Sequence, residues 1–199
     1  MPLLRSRPCG SKPYQSAIYS LAWIQSTCDT YFDRYLVPNR RTCMISALFL
    51  LLIISTALLF GNEFSVGFFI HPSLTRADHR AFLPAIQVFA RLFGKVMPVW
   101  MPLTLALHLC LLWLTWRWPA SHTLFLISAV TLWIIIIVFS LVGPVPINNQ
   151  VKAWELARLP EDWKAKRRRW DVQNAARVVL IGLAFIALVL SFRTLPLHD

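Results

Sequence analysis

A small set of side chains stands beside long apolar runs and is of the types that do chemistry. Glu63, His71 and Arg177 are titratable, and Asn62, Asn148, Asn149, Trp170 and Asn174 are polar or aromatic. A carboxylate or an imidazole in such a place is a proton acceptor. A guanidinium and carboxamides are the groups that stabilise a negative oxygen, and an indole offers a flat face to an aromatic ring. Part of the set has helical spacing. Trp163, Arg167, Trp170, Asn174, Arg177 and Ile181 recur at alternating intervals of three and four, which at about 3.6 residues per turn places them on one face. Taken singly, Asn148 reads as a helix cap, Trp170 as an interface anchor and Arg177 as a snorkelling flank residue. Their common location is what points to a pocket.

The elements that must position them are apolar helices. Residues 43–61, 96–116, 123–142 and 178–192 contain no Asp, Glu, Lys or Arg. The first three, at 19 to 21 residues, reach about 30 Å as helices, the thickness of a hydrocarbon core. The fourth has 15 residues and spans only by drawing Asn174 to Arg177 into the membrane boundary, where a cation needs a partner or must snorkel. With 57% hydrophobic residues and a mean hydropathy of +0.56, the expected fold is all-α. It is a four-helix transmembrane bundle over residues 43–193, with amphipathic helical extensions on one side.

Four spans impose a parity. The end of span 1, the start of span 2, the end of span 3 and the start of span 4 share a side, so Glu63, His71, Asn148, Asn149, Trp170, Asn174 and Arg177 gather at one mouth of the bundle. Membrane proteins place polar groups and irregular backbone where they line a cavity or each other. In G-P-V-P-I-N-N-Q the prolines are expected to prevent helix, with Asn148 capping a helix from about Gln150. Pro160, followed by Glu161 and Asp162, marks the start of the last helix. Span 1 either ends near Glu63, leaving the carboxylate in water, or continues to Ile70 before Pro72 stops it, holding Glu63 at the boundary. Phe82, Ile86, Phe89 and Phe93 form an amphipathic approach to span 2. His108, near the middle of that span, is a functional candidate as an ionisable group at that depth, set against the favoured reading of a neutral histidine packed on a backbone carbonyl.

A net charge of +11 sits mostly in segments flanking the spans, so membrane lipids with anionic headgroups are the expected partners and nucleic acid is not. Cys9, Cys28, Cys43 and Cys110 show neither metal nor redox spacing, and Cys110 reads as a small packing residue. No E-x-x-H, H-x-x-x-H, G-x-G-x-x-G or P-loop occurs, so no metal and no cofactor are expected. Residues 1–42 admit two readings: an N-terminal extension with a short interfacial helix over 17–36, or a chain whose translation begins at Met44.

The motifs G-N-E-F…F-x-x-P at 61–72, Pro98, P-I-N-N at 146–149 and W-x(6)-R at 170–177 resemble the anthrone-oxygenase-like family of small four-helix membrane proteins, over residues 44–192. The resemblance implies cofactor-free oxygenation of a planar aromatic such as an anthrone. Glu63 or His71 would take a proton from carbon, Arg177, Asn148 and Asn149 would hold the enolate, and Trp170 would stack on the ring. The chain departs from the pattern at Asn174, where members often carry histidine four residues after the tryptophan. The class set against this reading is a non-catalytic structural or partner-binding bundle.

The expected setting is a plasma membrane, in a bacterium the inner one. The side of the polar mouth carries 12 Lys and Arg against eight on the other, which favours cytoplasmic loops between spans 1 and 2 and between spans 3 and 4. A C-terminal alkaline phosphatase fusion is therefore expected to be active, and bright cytoplasmic fluorescence from a C-terminal fluorescent-protein fusion would reverse the orientation.

Overall fold

In a hydrocarbon medium every backbone N–H and C=O must be satisfied within its own segment, so long apolar runs become helices. The structure, a computed structural model, describes residues 40–75, 79–155 and 157–194. The proposed interfacial helix at 17–36, Cys9 and Cys28 lie outside them. Helix α1, Arg40–Ser65, passes through a π turn at Val66–Ile70 into the short α2, His71–Thr75. Then come α3, His79–Thr115, α4, Ala120–Val142, α5, Pro144–Val151, and α6, Trp163–Arg193. The stretches Cys43–Leu74, Phe82–Thr115, Ala120–Val151 and Trp163–Arg193 are each long and apolar enough to cross a membrane. The fold is an all-α bundle, and the described residues contain no strand beyond an isolated bridge between Glu155 and Arg158.

Proline placement differs from expectation in three ways. The stretch from Pro144 is helical, because Gly143 ends α4 and the prolines fall in the first turn of α5, where N–H groups have no intrahelical partner. Asn148 is therefore inside α5 and not its cap, and its carbonyl accepts from the Lys152 N–H at 3.2 Å. Pro160 belongs to a turn whose carbonyl accepts from the Trp163 N–H at 3.0 Å, and α6 begins at Trp163 with Asp162 as its cap. Pro72 does not stop the first helix. The His71 N–H bonds to the Val66 carbonyl five residues back, and this wider turn makes room for the pyrrolidine ring against the preceding carbonyls.

Three apolar layers fill the bundle. One joins Ile45, Phe49 and Leu52 to Leu111, Leu126 and Leu188. The middle layer joins Leu59, Met101, Trp133, Ile136 and Ile181. The third joins Val66, Phe82 and Ile86 to Ile147, Trp154 and Trp170. Their order along the chain gives the up-down-up-down course. Large apolar side chains such as Leu58, Val99, Trp113 and Val142 point outward, as a lipid-facing surface requires. Cys110 joins this outer face and is exposed, not packed inside. The approach helix at 82–93 is continuous with span 2 in α3, whose 37 residues reach about 55 Å.

At the layer containing Phe49, a histidine acts as a clamp between three helices. His122 lies in the first turn of α4 and is fully buried. Its Nε2 is 3.0 Å from Thr115 Oγ1, and that hydroxyl already donates to the Leu111 carbonyl at 2.8 Å. The ring Nδ1 lies 3.0 Å from the Ser191 carbonyl and 3.1 Å from Ser191 Oγ, so one ring nitrogen engages Thr115 and the other Ser191. One imidazole thus ties the ends of α3, α4 and α6 together. His122→Leu leaves two buried hydroxyls short of a partner, and each such loss costs about 1 to 3 kcal/mol. A clear fall in the thermal midpoint of the detergent-solubilised protein is expected. An unchanged midpoint would show that the clamp carries no stability.

Candidate functional site

The site is built where α1 and α6 meet. Glu63 and Arg177 are 3% and 7% exposed, and Arg177 Nη2 donates to Glu63 Oε2 at 2.5 Å. The same Nη2 donates to Asn174 Oδ1 at 2.8 Å, and Asn174 Nδ2 reaches the Glu63 backbone carbonyl at 3.5 Å. Asn174 is fully buried and grips both ends of the pair. Gly67 permits this approach, because a Cβ there would collide with Asn174 Nδ2. Each charge alone at this depth is costly, and together they are held by charge-assisted hydrogen bonds. Arg167, Trp170, Asn174, Arg177 and Ile181 are all buried along α6, so the stripe read from spacing faces the interior; Trp163 is half-buried.

Beside the pair lies a cavity of about 270 Å³. Its wall is apolar: Val66, Met97, Met101, Ile137, Leu141 and Val145. Gly94, Pro98 and Pro102 add a second strip at four-residue intervals on α3. Prolines at 98 and 102 remove the amide donors that would otherwise bond the carbonyls of Gly94 and Pro98, a feature that membrane helices tolerate where backbone lines a cavity. Into this space come Asn62, Glu63, Asn148, Asn149, Lys152 and Arg177. Asn62 Nδ2, Trp170 Nε1 and Arg177 Nε are buried without an acceptor, and among the described residues none donates to Glu63 Oε1. The site therefore holds unpaired N–H donors beside a carboxylate with one oxygen uncommitted.

His71 belongs to a separate cluster. Its Nδ1 lies 3.6 Å from Asp171 Oδ1, which also pairs with Arg167 Nη2 at 3.2 Å. The imidazole packs on Trp170 at 4.1 Å between ring centroids, and the Arg167 guanidinium sits over the same indole at 5.3 Å. The indole face is thus engaged by the protein's own side chains, contrary to the expectation that it lies open to a ligand ring. His71, Arg167, Asn148 and Trp170 border a void of about 30 Å³, room for roughly one water. Both residues face α6, Glu63 at Arg177 and His71 at Asp171 and Trp170, but they stand eight residues apart along the helix, so the two candidate bases border different spaces.

The structure thus brings Asn62, Glu63, Asn148, Asn149, Trp170 and Arg177 to one cavity, sets Asn174 behind the ion pair, and places His71 against Trp170. Sequence reasoning missed Asp171 and Lys152, which read only as flanking charges. It also missed Gln87, whose Nε2 donates to the carbonyls of Val151 at 3.2 Å and Trp154 at 2.8 Å and pins the end of α5. His108 has the expected carbonyl partner, Thr104, at 2.8 Å. Among the described residues no three His, Cys, Asp or Glu side chains gather as a metal site would require.

A helical membrane bundle with a carboxylate and guanidinium pair at one mouth defines the class. The family model described as anthrone oxygenase matches residues 88–187, half of the chain, and the protein belongs to that family. The match takes in Pro98, P-I-N-N and W-x(6)-R, whereas Glu63 and His71 precede it. No curated protein and no solved structure matches the chain.

The pair makes a strong mutational forecast. Glu63→Leu or Arg177→Met strands the other charge, which costs about 3 to 5 kcal/mol, while removal of both approaches neutrality. Thermal unfolding in detergent is expected to show both single variants destabilised and the double variant recovering most of the loss. Simple additivity in the cycle would mean that the two groups do not stabilise each other.

Proposed function

We propose that this membrane protein oxygenates a planar, anthrone-like aromatic at the cavity beside Glu63 and Arg177. The observation that carries this reading is the composition of that space. An apolar slot between helices has a carboxylate and unpaired N–H donors converging on it, which is the arrangement expected of a ligand site. An aromatic body fits the methionine and proline walls, and a ring carbonyl supplies the acceptor that the donors lack. Membership of the anthrone oxygenase family supports the same substrate class.

In this mechanism the Glu63 carboxylate removes a proton from the methylene carbon, which the ring carbonyl has activated. The charge moves onto the carbonyl oxygen, where Arg177 Nε and Asn62 Nδ2 donate to it, so Arg177 need not give up its bond to Glu63. Dioxygen adds at the carbanion, and the resulting peroxide takes the proton back from Glu63. Loss of the second C–H proton with hydroxide cleaves the O–O bond, releases water and leaves a carbonyl. The sum is CH₂ plus O₂ giving C=O plus H₂O, with no external reductant. Glu63 is preferred to His71 as the base because it borders the larger space. Asn174, at the position where relatives often carry histidine, orients the ion pair. Trp170 contributes its edge to the lining.

The exposed cations of the outer turns of α6, Lys164, Arg168 and Arg169, are proposed to meet anionic headgroups on the cytoplasmic side. Arg167, in the same run, is buried and serves the cluster around Trp170.

Purified protein in detergent is expected to consume oxygen with a model anthrone faster than the subtracted autoxidation. Glu63→Gln should lower that rate by about 10²- to 10⁴-fold while the protein stays folded. A wild-type rate equal to autoxidation would leave the non-catalytic bundle as the reading.

A further inference from the structure

Lys152 is the charged group at the cavity that the reaction does not use. Its side chain lies directly on the backbone of Gly94, where an added Cβ would sit 2.8 Å from Nζ and 3.4 Å from Cε. Its partner within the protein is Asn149 Oδ1 at 3.0 Å, a neutral acceptor, and among the described residues it enters no ion pair. Gly94, Asn149 and Lys152 all border the cavity. Of the charged lining residues, Glu63 and Arg177 neutralise each other, so the ammonium is the uncompensated charge of the site. Asn62, Trp170 and Arg177 add buried nitrogens that are all donors without an acceptor, while the uncommitted carboxylate oxygen, Glu63 Oε1, belongs to the ion pair. A site with surplus donors and a surplus positive charge, set in apolar walls, selects an apolar body that bears anionic oxygen.

We infer that the ligand of this cavity carries, besides its carbonyl end, a carboxylate or other anionic oxygen group that Lys152 holds. The inference rests on the reading of this space as the ligand site, and it narrows the substrate class from neutral aromatics to acidic ones. The half-exposed position of Lys152 suits an end of the ligand close to the aqueous boundary, where an ionised group loses little hydration. An acidic aromatic and a free fatty acid share this chemistry, so the test must separate them.

Dissociation constants are measured by tryptophan fluorescence on the full chain in a neutral detergent, with four probes: anthracene-2-carboxylate, 2-anthracenemethanol, decanoate and decanol. Wild-type protein is expected to bind anthracene-2-carboxylate about tenfold more tightly than the matched alcohol, the size of a charge-assisted hydrogen bond discounted for partial exposure. Lys152→Met should bring that ratio to about one without weakening the alcohol, and Lys152→Arg should retain it. Unchanged alcohol binding shows that the variant is folded. If both anthracene probes bind equally, or if Lys152→Met leaves the ratio intact, the inference is wrong while the aromatic pocket stands. If decanoate alone binds, and does so through Lys152, the anionic group is supported with a lipid as its source and the aromatic reading falls. If none of the four binds, both fall.

Discussion

Everything at the mouth of this bundle depends on one ion pair between helices distant in sequence. A carboxylate and a guanidinium are each expensive near a hydrocarbon core, where water cannot solvate them. Glu63 and Arg177 meet at 2.5 Å, and Asn174 accepts a further bond from Arg177 Nη2, while Arg177 Nε keeps no acceptor. The pair requires α1 and α6 to be neighbours at this level, and it requires Gly67, since a side chain there would displace the carboxamide. It also explains why α6 remains helical through Asn174 and Arg177, carrying polar side chains inward before the apolar run begins.

The same pair shapes the chemistry open to the site. The carboxylate has a counter-charge beside it in an apolar setting, and in the proposed reaction the cation would stabilise negative charge that develops nearby. In many bundles such a pair is purely structural. Here it borders a cavity, and prolines and a glycine on α3 thin the wall opposite the large side chains. Space, charge and unpaired donors coincide there, and the proposed function rests on that coincidence. The cluster of His71, Asp171, Arg167 and Trp170 packs the neighbouring turn.

Stability of the remainder comes from ordinary membrane-protein physics. Trp133, Leu59 and Ile181 fill the middle layer, while the outward faces are as apolar as the lipid they meet. The opposite mouth, among the described residues, has no charged pair and is closed by the neutral His122, Thr115 and Ser191 set. The two ends are thus differently built: one is satisfied internally, and the other holds polar groups with capacity to spare.

The amino-acid sequence alone determined the four apolar helices, because hydrocarbon thickness and backbone hydrogen bonding leave no other solution for uncharged runs of this length. It also determined the stripe from Arg167 to Ile181, since helical periodicity acts within one segment, and the parity that collects Glu63 and Arg177 on one side. Tertiary structure decided the rest. Whether Glu63 ends in water or in a pair depended on how α1 continues, and the π turn that carries the helix on to Thr75 has no single-residue signature. That turn left His71 facing α6 as Glu63 does, but eight residues farther along the helix and against a different space. Lys152 and Asp171 looked like flanking charges because their roles arise from neighbours on other helices. Pro144 and Pro146 looked like breakers because only the position of Gly143 at the end of α4 turns them into the opening of α5.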